Sequence, residues 1–212
     1  RLFEPIWRSD YPIRPDANQD HRASIAEIQA AVRAPPLRSG ISSYLGSARV
    51  ATRIAGLQSL LHNGRGTVSP AVLQRALLNS DNWAEQYLVV QILLRSATPE
   101  DLIALASALR DTRSDAVRSL ILGELASGLQ RAPAPQVPEL LAAARVAMAE
   151  TVDPATVVLA IEFLSRTRDR GWSLVASQWP LDAVDPYIGV AIARGMARDS
   201  QHVDIGILGR LA

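Results

Sequence analysis

The chain has 212 residues, 48% of them hydrophobic and 5% aromatic, with a formal net charge of +1. That is enough apolar material for one sizeable core or a short repeat array, and it excludes disorder throughout. There is no cysteine, so disulfides, thiolate metal sites and a cysteine nucleophile are excluded, and no apolar run of membrane-spanning length occurs.

Residues 1–22, RLFEPIWRSDYPIRPDANQDHR, differ from the rest. Pro5, Pro12 and Pro15 rule out a continuous helix. Phe3, Ile6, Trp7, Tyr11 and Ile13 give the stretch apolar content that favours docking over solvation. It reads as an extended arm, with Phe3, Trp7 and Tyr11 as the docking residues. The arm either straps across the first repeats of its own chain or docks on a neighbouring chain or domain. Residues 23–212 read as one helical-repeat domain, with a bend at 131–138.

Ser24 to Glu27 is a capping box that opens a short helix with Ile25, Ile28 and Val32, ended by Pro35-Pro36. A second short helix is expected over 37–46 with Ile41, Tyr44 and Leu45. Ser47 is a candidate cap for the next, where Val50, Ile54, Leu57, Leu60 and Leu61 recur at helical spacing. Asn63-Gly64 stops it. Ser69-Pro70 starts a helix with Val72, Leu73, Leu77 and Leu78 inside, and Asp81 caps one carrying Trp83, Tyr87, Leu88, Ile92 and Leu93.

The clearest helical pair lies at 98–130. Thr98 is a good N-cap, Pro99 suits the first helical position, and Glu100 and Asp101 face the positive end of the helix dipole. Leu102, Ile103, Leu105, Ala106 and Leu109 make its apolar face. The second helix starts at Ser114 and carries Val117, Leu120, Ile121, Leu122, Leu125 and Leu129. Gly123 and Gly128 within it indicate either close helix approach or slack in the sequence. The Pro-rich stretch APAPQVP, 132–138, connects to a helix with Leu140, Leu141, Val146 and Met148. Asp153-Pro154 and Asp185-Pro186 start two more, and a shorter helix between them carries Trp172, Leu174 and Val175.

The proposed starts at 47, 81 and 114 lie 34 and 33 residues apart, and those at 153 and 185 lie 32 apart. Such a period fits helical-hairpin repeats. Asp115, Val117 and Arg118 at the start of a second helix, followed by spaced Leu and Ala, resemble the HEAT-repeat pattern. In that family the Asp and Arg of successive repeats form a ladder. Arg53 stands at a position comparable to Arg118, and Gln86 occupies the intervening one. The resemblance implies an all-α fold, a right-handed α-solenoid of helical hairpins. A tetratricopeptide-like solenoid is the alternative, although its Trp, Leu-Gly and Tyr set is not present.

Chemistry is sparse. His21, His62 and His202 stand apart from one another, and none has the spacing of a helical zinc pair. No phosphate-binding or nucleophile-elbow motif occurs. Asn63-Gly-Arg-Gly66 reads as a helix–helix turn. No cofactor is expected, and no small-molecule ligand. All 22 cations are Arg, as a GC-rich bacterial genome would give. From Ile28 to Ser80 there is no acid but six Arg, whereas 76–150 holds six Arg against nine acids. Either these arginines are solvated or paired with carboxylates of other repeats, or they form a basic face for an acidic partner. Arg33, Arg38, Arg49 and Arg53, with Trp179, are the candidate partner-binding residues. Trp83, Trp172 and Trp179 either line a groove or wedge between helices.

The expected function is that of a non-catalytic scaffold or adaptor domain of a larger bacterial protein, binding another protein or another domain of its own chain. The alternatives are a helical-toroid enzyme domain acting on a glycan polymer, and nucleic-acid binding through the Arg-bearing face. The sequence gives no positive reason for an enzyme, and a pI near 8.4 argues against nucleic acid as the main ligand. Membrane insertion is not expected. The start at Arg1 suggests a processed or trimmed piece, from which an upstream signal peptide could have been removed, and the absence of cysteine permits bacterial cytoplasm or periplasm and decides neither. The last residues suggest that further repeats follow.

Overall fold

A computed structural model describes residues 44–128, 137–167, 169, 171–179, 185–198, 207, 209 and 210. The described residues are helical, with no strand. In chain order the helices are α1 (Val50–Asn63), α2 (Pro70–Asn79), α3 (Trp83–Ser96), α4 (Pro99–Asp111), α5 (Asp115–Gly128), α6 (Pro138–Glu150), α7 (Pro154–Arg166), α8 (Gly171–Ala176) and α9 (Pro186–Arg198).

Local chemistry sets most of the boundaries. The Thr98 side chain accepts from the Asp101 N–H while the Asp101 carboxylate accepts from the Thr98 N–H, a complete capping box. The Asp153 carboxylate accepts from the Thr156 N–H, and proline opens α2, α4, α6 and α7 at their first turn. Gly64, at φ 84°, ends α1 in a conformation that favours glycine. Two caps differ from expectation. Asn82, not Asp81, caps α3, its side-chain oxygen accepting from Ala84 and Glu85 N–H. Ser47 sits ahead of the α1 cap residue Arg49 and accepts from its N–H. In Ser80-Asp81-Asn82 several side chains compete for one cap, and the asparagine stands in the register that reaches the first-turn donors.

Packing follows a simple order. Helices two places apart along the chain pack together: α1 with α3, α3 with α5, α5 with α7, α7 with α9, and likewise α2 with α4, α4 with α6, α6 with α8. The odd-numbered helices form one row and the even-numbered a second, with α2–α3, α4–α5 and α6–α7 packing across. The core runs along the seam between the rows, through Ile54, Leu57, Leu73, Leu77, Leu88, Leu105, Ile121, Leu140, Ile161, Phe163 and Ile192. Val72 and Ile103, read as inward-facing, are exposed, as are Val146, Leu174 and Val190. On α4 the buried arc is Leu102, Leu105, Ala106 and Leu109, and Ile103 falls outside it.

The odd row is parallel. Near its N-terminal ends Arg53 of α1 bonds Glu85 of α3, and Thr151 and Thr156 bond Asp115 of α5. Near its C-terminal ends Arg95 donates to the Leu61 carbonyl, Arg166 to the Ala126 carbonyl, and Arg198 to the Ser165 hydroxyl. These partners lie 32 to 41 residues apart in sequence, so each bond joins neighbouring units.

The glycine readings resolve differently at each position. A Cβ on Gly128 would meet open space, and one on Gly123 only ordinary contact with Leu159. Close approach occurs instead at Gly195, where a Cβ would stand 2.9 Å from the Trp172 ring. Trp172 is a buried wedge, as one of the two tryptophan readings requires.

Candidate functional site

The first end of the two rows carries a buried ion pair. Arg53 Nε donates to Glu85 Oε1 at 2.6 Å and Nη2 to Oε2 at 3.0 Å, a bidentate arrangement. Nη1 donates to the Ser47 and Ala48 carbonyls at 2.8 and 3.0 Å. The Ser80 hydroxyl donates to Glu85 Oε2 at 2.6 Å. Glu85 is buried, and its hydrogen bonds hold the Arg53 guanidinium above its ordinary pKa, against the effect of burial. Arg53 is thus committed within the chain.

A cavity of about 680 Å³ opens beside this pair. Leu45, Val68, Val72 and Ala76 form its apolar wall, and Arg53, Arg75, Ser80 and Glu85 its polar side. Across the α1–α2 turn, Arg65 reaches from between Gly64 and Gly66 to fully buried Asp101, Nε to Oδ1 3.1 Å. So the Gly-Arg-Gly stretch is a turn, and it is also the anchor of an inter-unit ion pair.

Farther along the same edge the polar contacts are hydroxyl-mediated. Thr151 Oγ1 donates to Asp115 Oδ1 at 2.9 Å, and Arg118 Nη1 donates to the same oxygen at 3.0 Å. Ser119 and Thr156 share a 2.7 Å hydrogen bond. The Thr156 hydroxyl, and then its N–H, hold the Asp153 carboxyl below its ordinary pKa, with burial opposing. The Asp and Arg of the HEAT-like resemblance therefore meet as an i,i+3 pair, Asp115 with Arg118. Gln86 donates to the Ser80 carbonyl instead.

Apolar residues are exposed at this edge. Trp83, the first residue of α3, is 46% exposed and stacks on Tyr87 with ring centroids 5.3 Å apart. Val152, in the turn before α7, is 93% exposed, and Tyr187 in the first turn of α9 is 79% exposed. Because the odd helices are parallel, their N-terminal turns share one side. Arg49, the cap residue of α1, is exposed there too. Trp179 lies in the connection that leads into α9, half-buried against the core. Trp83 is thus not the wedge that one reading of the tryptophans expects. Of the candidate partner-binding residues, Arg33 and Arg38 lie outside the described residues, as do the arm residues Phe3, Trp7 and Tyr11.

Among the described residues no group of three His, Cys, Asp or Glu is placed to hold a metal ion. No described helix is long and apolar enough to cross a membrane.

Comparison with protein-family models, with curated proteins and with solved structures finds no match.

Sequence reasoning missed the exposed edge; it offered arginines paired with carboxylates of other repeats as one alternative but did not name the partners Glu85 and Asp101. The available signal was the repeat period: Glu85 follows Arg53, and Asp101 follows Arg65, by about one repeat.

Proposed function

We propose that the chain is a short right-handed α-solenoid of HEAT-like hairpins, with an N-terminal arm, that acts as a non-catalytic protein-binding scaffold or adaptor in a larger bacterial protein. The observation that carries this reading is the alignment of exposed Trp83, Val152 and Tyr187 along the N-terminal side of one helix row. Stacked hairpins present such long edges to partners. Tyr and Trp are enriched at interface centres, where an amphipathic ring buries large area at low entropic cost. Arg49 is the described arginine that fits this face; Trp179 flanks it. The helix N-termini there are already met by Asn82, Asp153 and Asp185 of the chain itself, so apolar contact with the rings, and not helix-dipole attraction, recognises the partner.

A photo-crosslinking side chain placed in turn at Trp83 and Tyr187 tests this in the native cell. The same protein captured from both positions, and not from Ser107 on α4, supports the reading. Capture of no protein from either position overturns it. Recovery of nucleic acid, with affinity falling steeply as salt rises, would move the function to phosphate recognition. Recovery of a glycan that the domain turns over would move it to the toroid enzyme.

A further inference from the structure

We infer that the odd row carries a built-in hinge between α3 and α5, about which the first helices bend against the rest while the even row stays closed as a spine.

The packing locates it. α3 and α5 lie less closely against each other than any other neighbouring pair of the odd row. α5 also packs less against α4 than α3 does against α2, or α7 against α6. Its firm neighbour is α7. Opposite this joint the even row is continuous, with α4 packed against both α2 and α6. Hinges fall where few buried contacts have to be broken.

The side chains give the cause. At the other joints an arginine near the helix C-terminus reaches back to the preceding odd helix: Arg95 to the Leu61 carbonyl, Arg166 to the Ala126 carbonyl, Arg198 to the Ser165 hydroxyl. Each stands twelve residues after the first residue of its helix, Trp83, Pro154 and Pro186. Twelve after Asp115 stands Ser127, exposed and too short to span the roughly 8–10 Å between neighbouring helix axes.

The N-terminal end is open as well. Arg53, three residues into α1, ties Glu85 of α3. Gln86, three residues into α3, turns back instead to the Ser80 carbonyl ahead of its own helix. In α5, Asp115 and Ser119 bond Thr151, Asp153 and Thr156, all on the α7 side. Between α3 and α5, Gln91 donates to Glu124 at 2.5 Å near the middle of both helices. Both residues are half-exposed, so water replaces that contact at little cost, and it acts as a pivot and not as a clamp.

The joint divides the exposed rim. Trp83 lies on one side of it and Val152 and Tyr187 on the other, so bending sets their spacing. The inference rests on how the rows pack and not on the partner-binding reading.

An opening of about 15° about a spine about 10 Å away parts α3 and α5 by about 3 Å. The cysteine-free sequence lets spin labels be placed without background. In the full chain, Arg49→Cys with Ala116→Cys spans α1 to α5 and crosses the joint. Ala116→Cys with Tyr187→Cys spans α5 to α9 and does not; all three positions are exposed. Pulsed dipolar electron paramagnetic resonance should give a distance distribution about 3 Å broader for the first pair than for the second. Adding Ser127→Arg, which supplies the missing donor, should narrow the first distribution and leave the second unchanged. Equal widths without Ser127→Arg would overturn the inference, as would a Ser127→Arg variant that narrows both distributions or neither.

Discussion

The Arg53–Glu85 pair offers the sharpest test of how the odd row is held together. Arg53→Ala removes two charge-assisted bonds and leaves a carboxylate that is 3% exposed with only the Ser80 hydroxyl. Breaking a buried pair from one side costs about 3–5 kcal/mol. The Arg53 side chain is 25% exposed, so water can follow the truncation and the lower end, about 3 kcal/mol, applies. Glu85→Ala should cost less, about 1–2 kcal/mol, because the guanidinium keeps the Ser47 and Ala48 carbonyls and its access to water. Replacing both partners with apolar residues, Arg53→Met with Glu85→Leu, should fall within about 1 kcal/mol of the parent. Arg49→Glu is the control: an exposed arginine whose reversal should change stability by no more than about 0.5 kcal/mol. Urea unfolding followed by far-UV circular dichroism, with a constant slope across the set, gives the differences. Equal small losses for the two alanine variants, or a greater loss for Glu85→Ala, would refute the reasoning.

Asp101→Ala removes a capping box and strands Arg65, and should cost about 3 kcal/mol in the same urea assay. Gly195→Ala presses a methyl against the buried Trp172 ring and should cost about 1–3 kcal/mol, whereas Gly128→Ala meets open space and should gain up to about 1 kcal/mol, both read from thermal midpoints. Asp153 is held below its ordinary pKa when folded, so its contribution is present above the unfolded value of about 3.9 and fades as pH falls through the folded one. Asp153→Asn should therefore be less stable at neutral pH and flatter in a stability profile below about pH 4.

Local features were legible in the sequence because their partners lie within a few residues. Thr98 with Asp101, Asp153 with Thr156, and Gly64 after Asn63 are decided by side chains reaching their own helix ends. The spacing of helix starts was legible as well: the odd helices open at Val50, Trp83, Asp115, Pro154 and Pro186, within three residues of the starts read at 47, 81, 114, 153 and 185, although Arg49 and Asn82 hold the cap positions read at Ser47 and Asp81. Pairings between units were not. Nothing within a window around Arg53 or Arg65 reveals that Glu85 and Asp101 discharge them, so an acid-free stretch looked more basic than it is. Exposure was equally hidden: Trp83 and Ile103 sit in apolar patterns, yet neighbouring rows cover only part of each helix.

The row is pinned at both ends by contacts that leave its exposed rim free. At one end arginines donate to carbonyls or a hydroxyl of the preceding odd helix, which satisfies acceptors that a helix C-terminus leaves open. At the other, Glu85, Asp115 and Asp153 collect hydroxyl and guanidinium donors. Tyr187 makes no part of these ladders, and Trp83 contributes mainly its stack on Tyr87. Fold and recognition are then separable. Tyr187→Ala should cost no more than about 0.5 kcal/mol, and Trp83→Ala about 1 kcal/mol for the lost aromatic pair, while the double variant should lose partner capture. A variant that still captures the partner after both rings are gone would remove the edge from the binding surface. One that unfolds would make the rings part of the fold and leave the scaffold reading without its main support.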